Sequence, residues 1–278
     1  LLDTTIVNVA LPSIQEDLDA SSAQLVWMVS GYVLSFAVLL ITGGRLGDRY
    51  GRKTIFNVGV FGFTIASIGC AFAQTADGLV ISRLVQGAFG AIMIPQVLSI
   101  IQVLFKPKER AAVFGLVGGV SGLAAVAGPL VGGLLVSGDA FGLGWRSIFI
   151  INVPVGILLL IASFAFVPNS KSAKPVKLDI LGVSLIIAAL FLIIFPLIQG
   201  REQGWPIWIW LMLATSPLLI GIFVYLQNRE EKKSGMALIP PSLFKNRGFS
   251  AGVVTSFLAL SSIGAFFLVF ALYLQTGL

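Results

Sequence analysis

Histidine is absent from the 278 residues, and cysteine occurs once, at Cys70. Without an imidazole there is no Ser/His/Asp triad, no histidine general base and no His-containing zinc site. A single cysteine closes no internal disulfide and leaves the redox compartment unread. Neither GK[ST] nor G-x-G-x-x-G occurs, so the chain has no phosphate-cradling loop of those kinds, and its acids form no convincing metal cluster. No enzyme, no metal and no cofactor are expected, and any uphill work would draw on an ion gradient. Charge is also scarce, at 11% of residues, against about 25% in soluble domains.

What fills the chain instead is apolar: 57% of positions, with a mean hydropathy of +0.99. That excludes disorder, which needs the reverse balance. A spanning helix takes about 20 mostly apolar residues to cross roughly 30 Å of hydrocarbon. Such stretches are read near residues 24–44, 54–73, 79–101, 111–136, 148–167, 180–199, 206–226 and 249–274. Residues 1–13 read as the outer part of one more helix, with the chain expected to be cut inside it and no signal peptide expected at Leu1. The expected fold class is therefore an all-α integral membrane protein.

Breaks fall at 15–24, 47–53, 73–78, 106–110, 168–179 and 228–235. They are short, so neighbouring helices are expected to be antiparallel. Alternating the spans places fifteen of the 18 Lys and Arg residues in loops of one side. Only Arg146 and Arg201 fall on the other side, and Arg83 lies within a span. Basic residues are retained in cytoplasmic loops, so the N-terminus is expected in the cytoplasm of a multi-pass cell-membrane protein. The net charge of +6 comes from those loops rather than from a continuous basic stripe, which argues against nucleic acid as a partner. Trp205, Trp208 and Trp210 read as an interfacial belt, and residues 228–248, with Pro240 and Pro241, read as a plain linker, with a short surface helix joining two bundles as the alternative.

Two ionisable residues sit inside spans, Asp3 and Arg83. Each costs roughly 2.5–3.5 kcal/mol at the centre of an isolated spanning helix. The functional reading is a proton or substrate site; the alternatives are a buried structural pair, or an arginine that snorkels outward. Gln86, Gly87 and Gly90 follow Arg83 at i+3, i+4 and i+7, a polar, low-volume stripe that would line a cavity or admit a neighbouring helix. Asn8 lies about 140° around the helix from Asp3, on the face of Thr4.

Glycine concentrates in residues 111–136, with Gly115, Gly118, Gly119, Gly122, Gly128, Gly132 and Gly133. Small residues four apart let helix backbones approach closely, while Pro129 leaves the Ala125 carbonyl without its helical donor and predicts a bend. Packing alone, a hinge and an ion-tight seal all fit. Between the spans at 24–44 and 54–73, the run GGRLGDRYGRK reads as a compact loop turned by Gly44 and Gly51. Asp48 there could cap a helix N-terminus or pair with Arg49 or Arg52, a pattern suited to a latch.

Taken together, these stretches resemble the major facilitator superfamily, and within it the drug:proton antiporters with fourteen transmembrane segments. Gly44 to Lys53 is similar to the loop motif G-x-L-a-D-R-x-G-R-K, with Gly47 at its small-residue position. Arg83 to Gly90 resembles R-x-x-Q-G-x-x-G of the fourth span. Ala124 to Gly133 resembles the antiporter motif g-x-x-x-G-P-x-x-G-G, with Ala124 in place of its first glycine. LDTTIVNVALPSI, WRSIFIINVPVG, and KLDILG followed by GREQGW resemble the fourteen-span branch.

The resemblance implies a six-helix N-terminal bundle at 1–167 whose first helix is truncated, a two-helix insert at 168–227, and a linker with the first helix of a C-terminal bundle at 228–278. The rest of that bundle, expected from the same polypeptide, would complete a monomeric transporter of a bacterial inner membrane that rocks about a midplane site. By the same resemblance Asp3 and Arg83 couple protons, and Asn8, Gln86, Gly87 and Gly90 line the cavity. Gly44, Asp48, Arg49, Gly51 and Arg52 form a cytoplasmic gate, and Gly128, Pro129, Gly132 and Gly133 the antiporter bend. Burial eases protonation of a carboxylate and a nearby cation opposes it, so competition between proton and cargo would yield antiport of amphipathic or cationic compounds. A transporter of one metabolite, amino acid or lipid is the alternative, and a non-transporting membrane sensor a third reading.

Overall fold

The computed structural model describes residues 2–139, 142–171, 179–200, 203–234 and 237–276, with side chains at those positions except Ser234, Leu260 and 263–276. Every regular element among them is helical: α1 (Leu2–Leu18), α2 (Ser22–Tyr50), α3 (Arg52–Ala71), α4 (Ala76–Leu104), α5 (Pro107–Ser137), α6 (Ser147–Ile150), α7 (Asn152–Phe166), α8 (Ile180–Gln199), α9 (Ile207–Ser234) and α10 (Arg247–Thr276). Among the described residues seven helical stretches are long and apolar enough to cross a membrane: α2, α3, α4, α5, the run Gly144–Phe166 through α7, α8, and α9 as far as Lys233. These cover seven of the eight whole spans expected; the eighth falls within α10.

The helix starts carry their own chemistry. Ser21 Oγ accepts from the Gln24 N–H (3.2 Å) while Gln24 Oε1 accepts from the Ser21 N–H (2.9 Å), a reciprocal cap that opens α2. Thr75 caps α4 through the Gly78 N–H, Asp179 caps α8 through the Gly182 N–H, and Pro107 starts α5 where its missing donor costs nothing.

Three boundaries differ from the sequence reading. Residues Gly44 to Tyr50 are helical, because α2 runs on to Tyr50, and the break from α3 is Gly51 alone at φ 109°, in the left-handed region that favours glycine. The charged stretch after residue 227 extends α9 to Ser234, and Pro241–Lys245 forms a 3-10 turn rather than plain linker. The span expected at 148–167 is interrupted at Ile151, three residues before Pro154, which has no N–H to give the helical ladder. Lys174, Lys177 and Arg201 lie outside the described residues.

The chain divides into two compact units, Leu1–Ile220 and Gly221–Leu278. In the first, α2 and α3 both pack along α4, α1 lies against α5, and α7 lies against α3. Bare Cα atoms make these contacts close. A side chain at Gly43 would run into the Ala91 carbonyl of α4, one at Gly59 into the Met93 backbone, and one at Gly156 into Thr64. In a bilayer, where lipid tails are as apolar as leucine, this contact surface replaces the hydrophobic drive of a soluble core. A buried apolar cluster joins α1 (Ile6, Val7, Ala10, Ile14), α2 (Met28), α4 (Leu79) and the α6 region (Trp145, Ile148, Phe149). Trp27 of α2 packs on Phe191 and Phe195 of α8, with centroids 6.3 and 5.9 Å away. In the second unit, Gln227 Oε1 of α9 accepts from the Leu238 N–H, and Glu231 accepts from the Ser242 hydroxyl, tying the turn at 237–242 back to its helix.

Candidate functional site: a buried charge network

Asp3 of α1 and Arg83 of α4 meet inside the helices, at 6% and 1% exposure, with Arg83 NH1 donating to Asp3 Oδ2 over 2.6 Å. Arg83 does not snorkel outward. Its NH1 also donates to Gln86 Oε1 (2.6 Å) and its Nε to the Met28 carbonyl of α2 (3.1 Å). The other carboxylate oxygen, Asp3 Oδ1, accepts from Gln86 Nε2 (3.2 Å) and from Asn152 Nδ2 of α7 (2.9 Å). Gln86 Nε2 donates further to Ser67 Oγ of α3 (2.8 Å), and Cys70 Sγ lies 3.7 Å from Gln86 Oε1. Five of the described helices thus converge on one ion pair.

The stripe after Arg83 makes that convergence possible. Gln86 shares the arginine's face and joins the network, whereas Gly87 and Gly90 admit α2 rather than line open space. A Cβ at Gly87 would collide with the Tyr32 carbonyl and Ser35 Oγ, and one at Gly90 would press on Phe36. With α2 so close, the Tyr32 ring lies 4.2 Å from the guanidinium centre, a cation–π contact, and Phe149 lies at 5.8 Å. A desolvated pair is tolerable only when its remaining donors and lone pairs are matched; here both carboxylate oxygens and the arginine's Nε and NH1 have partners.

The Gly44–Arg52 region places Arg52 NH2 3.1 Å from Asp48 Oδ1, a partly exposed i,i+4 pair. Arg49 is exposed and lies over the Tyr50 ring at 5.4 Å, so it is Arg52 that pairs with Asp48. Asp48 caps no helix; α3 begins at Arg52, directly after Gly51, without a side-chain cap. Gly47 sits under the Gln96 amide, which donates to the Gly43 carbonyl (2.7 Å), a Cβ at Gly44 would meet Pro95 at ordinary contact distance, and the Arg52 N–H donates to the Ser170 carbonyl (2.9 Å).

On α5, Gly128 and Gly132 face Thr5 and Ile6 of α1, where a Cβ would collide, while Pro129 is exposed and Gly133 meets nothing within 4 Å. The helix is continuous across Pro129. Asn8 is exposed and takes no part in the network. An apolar groove of about 870 Å³ between α3, α4 and α7, bordered by Phe61, Phe89 and Phe164, contains none of the residues expected to line a cavity.

A second acid of α1 is held by the segment that supplies Asn152. Asp17 accepts from the Trp145 indole Nε1 (3.1 Å) and from Arg146 NH1 (2.8 Å), and Arg146 stacks on the Trp145 ring. The indole hydrogen bond, seconded by the guanidinium, holds the Asp17 carboxyl below the usual aspartate range.

Sequence reasoning identified Asp3, Arg83 and Gln86 but missed Asn152, Ser67 and Tyr32 as members. The signal for Asn152 was its place in N-V-P, a polar residue where a proline interrupts a spanning helix.

The model of the Major Facilitator Superfamily matches residues 1–276. The chain is 46% identical over 279 residues to the "Probable actinorhodin transporter" of Streptomyces coelicolor, covering 100% of this chain and 48% of that protein. It is 38% identical over 277 residues to the "Tetracenomycin C resistance and export protein" of Streptomyces glaucescens (99% and 50%). It is 36% identical over 278 residues to the "Methylenomycin A resistance protein" of Streptomyces coelicolor (99% and 56%). The chain therefore spans about half the length of the curated relatives it matches, and those relatives are named as transporters and resistance proteins rather than enzymes. Its membrane-length helices, its Arg83 to Gly90 stripe and a family match along nearly all of its length agree that this chain belongs to the Major Facilitator Superfamily.

Proposed function

We propose that the full-length protein exports amphipathic compounds in exchange for protons, and that Asp3 is the group that carries the proton. The observation that supports this reading is the buried Asp3–Arg83 pair, an ionisable centre shared among five helices. A carboxylate in such surroundings ties its charge state to helix packing: the ionised form holds Arg83 and two amide donors, and the neutral acid releases part of that grip. Alternating access would follow as the helices repack around the two forms. In this scheme Asp48 with Arg52 supplies this chain's half of a cytoplasmic latch, and the Gly128–Pro129 region seals the bundle against leak. The membrane is the bacterial inner membrane with the N-terminus inside, the transporter is monomeric, and α8 and α9 form an insert between two bundles.

The relatives' names favour one refinement. Several specify a single antibiotic, including actinorhodin, tetracenomycin C and methylenomycin A, whereas others specify multidrug transport. A dedicated exporter of one secreted product is accordingly the second reading. In inside-out vesicles carrying the full-length protein, accumulation of a fluorescent lipophilic cation should collapse when the proton gradient is dissipated, and Asp3→Asn should abolish it at normal membrane abundance. Gradient-driven transport by Asp3→Asn at the wild-type rate removes Asp3 from the coupling. A response to one polyketide-like compound alone would select the dedicated exporter.

A further inference from the structure

Asn152 is placed unlike the other partners of Asp3. Gln86 is fully buried and tied three ways, to Arg83, Ser67 and Asp3. Arg83 is anchored by the Met28 carbonyl and clasped by Tyr32. The Asn152 amide makes its hydrogen bond to Asp3 Oδ1, is half-buried, and stands on the first residue of α7 beside the Ile151 interruption. Of the three donors to Asp3 it is the one with fewest other obligations and the one that is not fully buried.

A proton reaching Asp3 needs a lone pair. Oδ2 keeps one lone pair beside its bond to the arginine, but a proton there would sit against the guanidinium charge; at Oδ1 both lone pairs are engaged, by Gln86 and Asn152. Protonation at Oδ1 must displace one donor, and the less restrained one is Asn152. An asparagine side chain carries both N–H donors and a carbonyl acceptor at the same reach. Turning the amide over would let its carbonyl accept from the new O–H, so neither state leaves a buried polar group unpaired. No arginine, lysine or apolar residue could do both.

We propose that Asn152 follows the proton at Asp3, donating to the carboxylate and, after the amide turns, accepting from the carboxylic acid. The proton bonds to Oδ1, the carboxylate becomes neutral, and Arg83 keeps its bonds to Gln86 and the Met28 carbonyl. The titratable or charged groups facing Asp3 are Arg83 from α4, Tyr32 from α2 and Cys70 from α3; among the described residues α5 and α6 present none, and α7 presents the neutral Asn152. The proposal rests on Asp3 taking up a proton, and its test separates the two.

Infrared difference spectra of the full-length protein in lipid, recorded as pH is stepped down, should contain a protonated-carboxyl C=O band that Asp3→Asn removes. In Asn152→Leu that band should move to higher wavenumber, because the acid has lost its acceptor. In Asn152→Ser, whose hydroxyl can also donate and accept, it should stay near the wild-type position. An unmoved band in Asn152→Leu overturns the role of Asn152 while leaving proton uptake by Asp3 intact. Failure to find any band that Asp3→Asn removes overturns both. Should Asn152→Leu not insert, wild-type protein with isotope-labelled asparagine decides: the amide band missing from Asn152→Ser must change over the same pH steps as the Asp3 band, and a constant amide band refutes the proposal.

Discussion

Two ion pairs hold α1, and they differ in almost everything except chemistry. Asp3–Arg83 is 6% and 1% exposed and embedded among neutral partners on α4 itself and on three other helices, α2, α3 and α7. Asp17–Arg146 is 46% and 30% exposed, helped mainly by one indole N–H. The same aspartate–arginine contact, 2.6 Å in one case and 2.8 Å in the other, has different consequences because water can replace the partner only at the outer site. Breaking a buried pair from one side strands a charge, at a cost of about 3–5 kcal/mol, whereas an exposed pair contributes about 0–1 kcal/mol. Burial, rather than separation, is what sets the two apart: one pair is fixed by its protein surroundings and the other is open to water.

The sharpest way to break that comparison is to remove each arginine. Arg83→Leu should destabilise the protein by about 3–5 kcal/mol, read as a collapse of membrane abundance and thermal stability. The double variant Asp3→Asn with Arg83→Leu should recover much of the loss, because no charge is then stranded. Equal damage from the single and double variants would contradict the buried pair. Next in size, Gly132→Leu should cost about 1–3 kcal/mol by overpacking against Ile6. Gly133→Leu, with nothing opposite it, should leave stability within about 0.5 kcal/mol of wild type. Matching thermal shifts from these two would refute the α1–α5 contact.

Smallest is Asp17→Asn, expected to cost no more than about 0.5–1 kcal/mol at neutral pH. The sign of its pH dependence is set by the lowered Asp17 carboxyl. That stabilisation is complete above the ordinary aspartate value of 3.8 and is lost as pH falls below it through the folded-state value. Wild type and Asp17→Asn should therefore converge in stability at strongly acidic pH and diverge above it. A difference that persists unchanged into acid would assign the effect to something other than the Trp145 and Arg146 bonds.

The helices were legible from the sequence because length and hydropathy report directly on a bilayer. The expected span at 180–199 coincides with α8. Arg83 and Gln86 were legible because both lie on one helix, where i,i+3 spacing fixes a shared face. Asn152 was not: its N-V-P setting marks a polar break in a helix but not its partner, because Asp3 lies 149 residues away and only helix packing brings the two together. Gly44 to Tyr50 was misread for a different reason. Glycine and charge are ordinary loop signals, but here bare glycines let Gln96 and Pro95 of α4 pack against an uninterrupted helix. Gly87 and Gly90 fit either a cavity wall or a packing seam, and only the nearness of Tyr32 and Phe36 decided between them.

The single-residue joint at Gly51 has a mechanical corollary. Neighbouring Cα atoms are held about 3.8 Å apart, so the ends of α2 and α3 cannot drift away from each other. Asp48 and Arg52 bridge that joint like a strut, and the Ser170 carbonyl pins its far side. A tilt of α2 is then handed directly to α3 as rotation about one pivot, with no slack segment to absorb it.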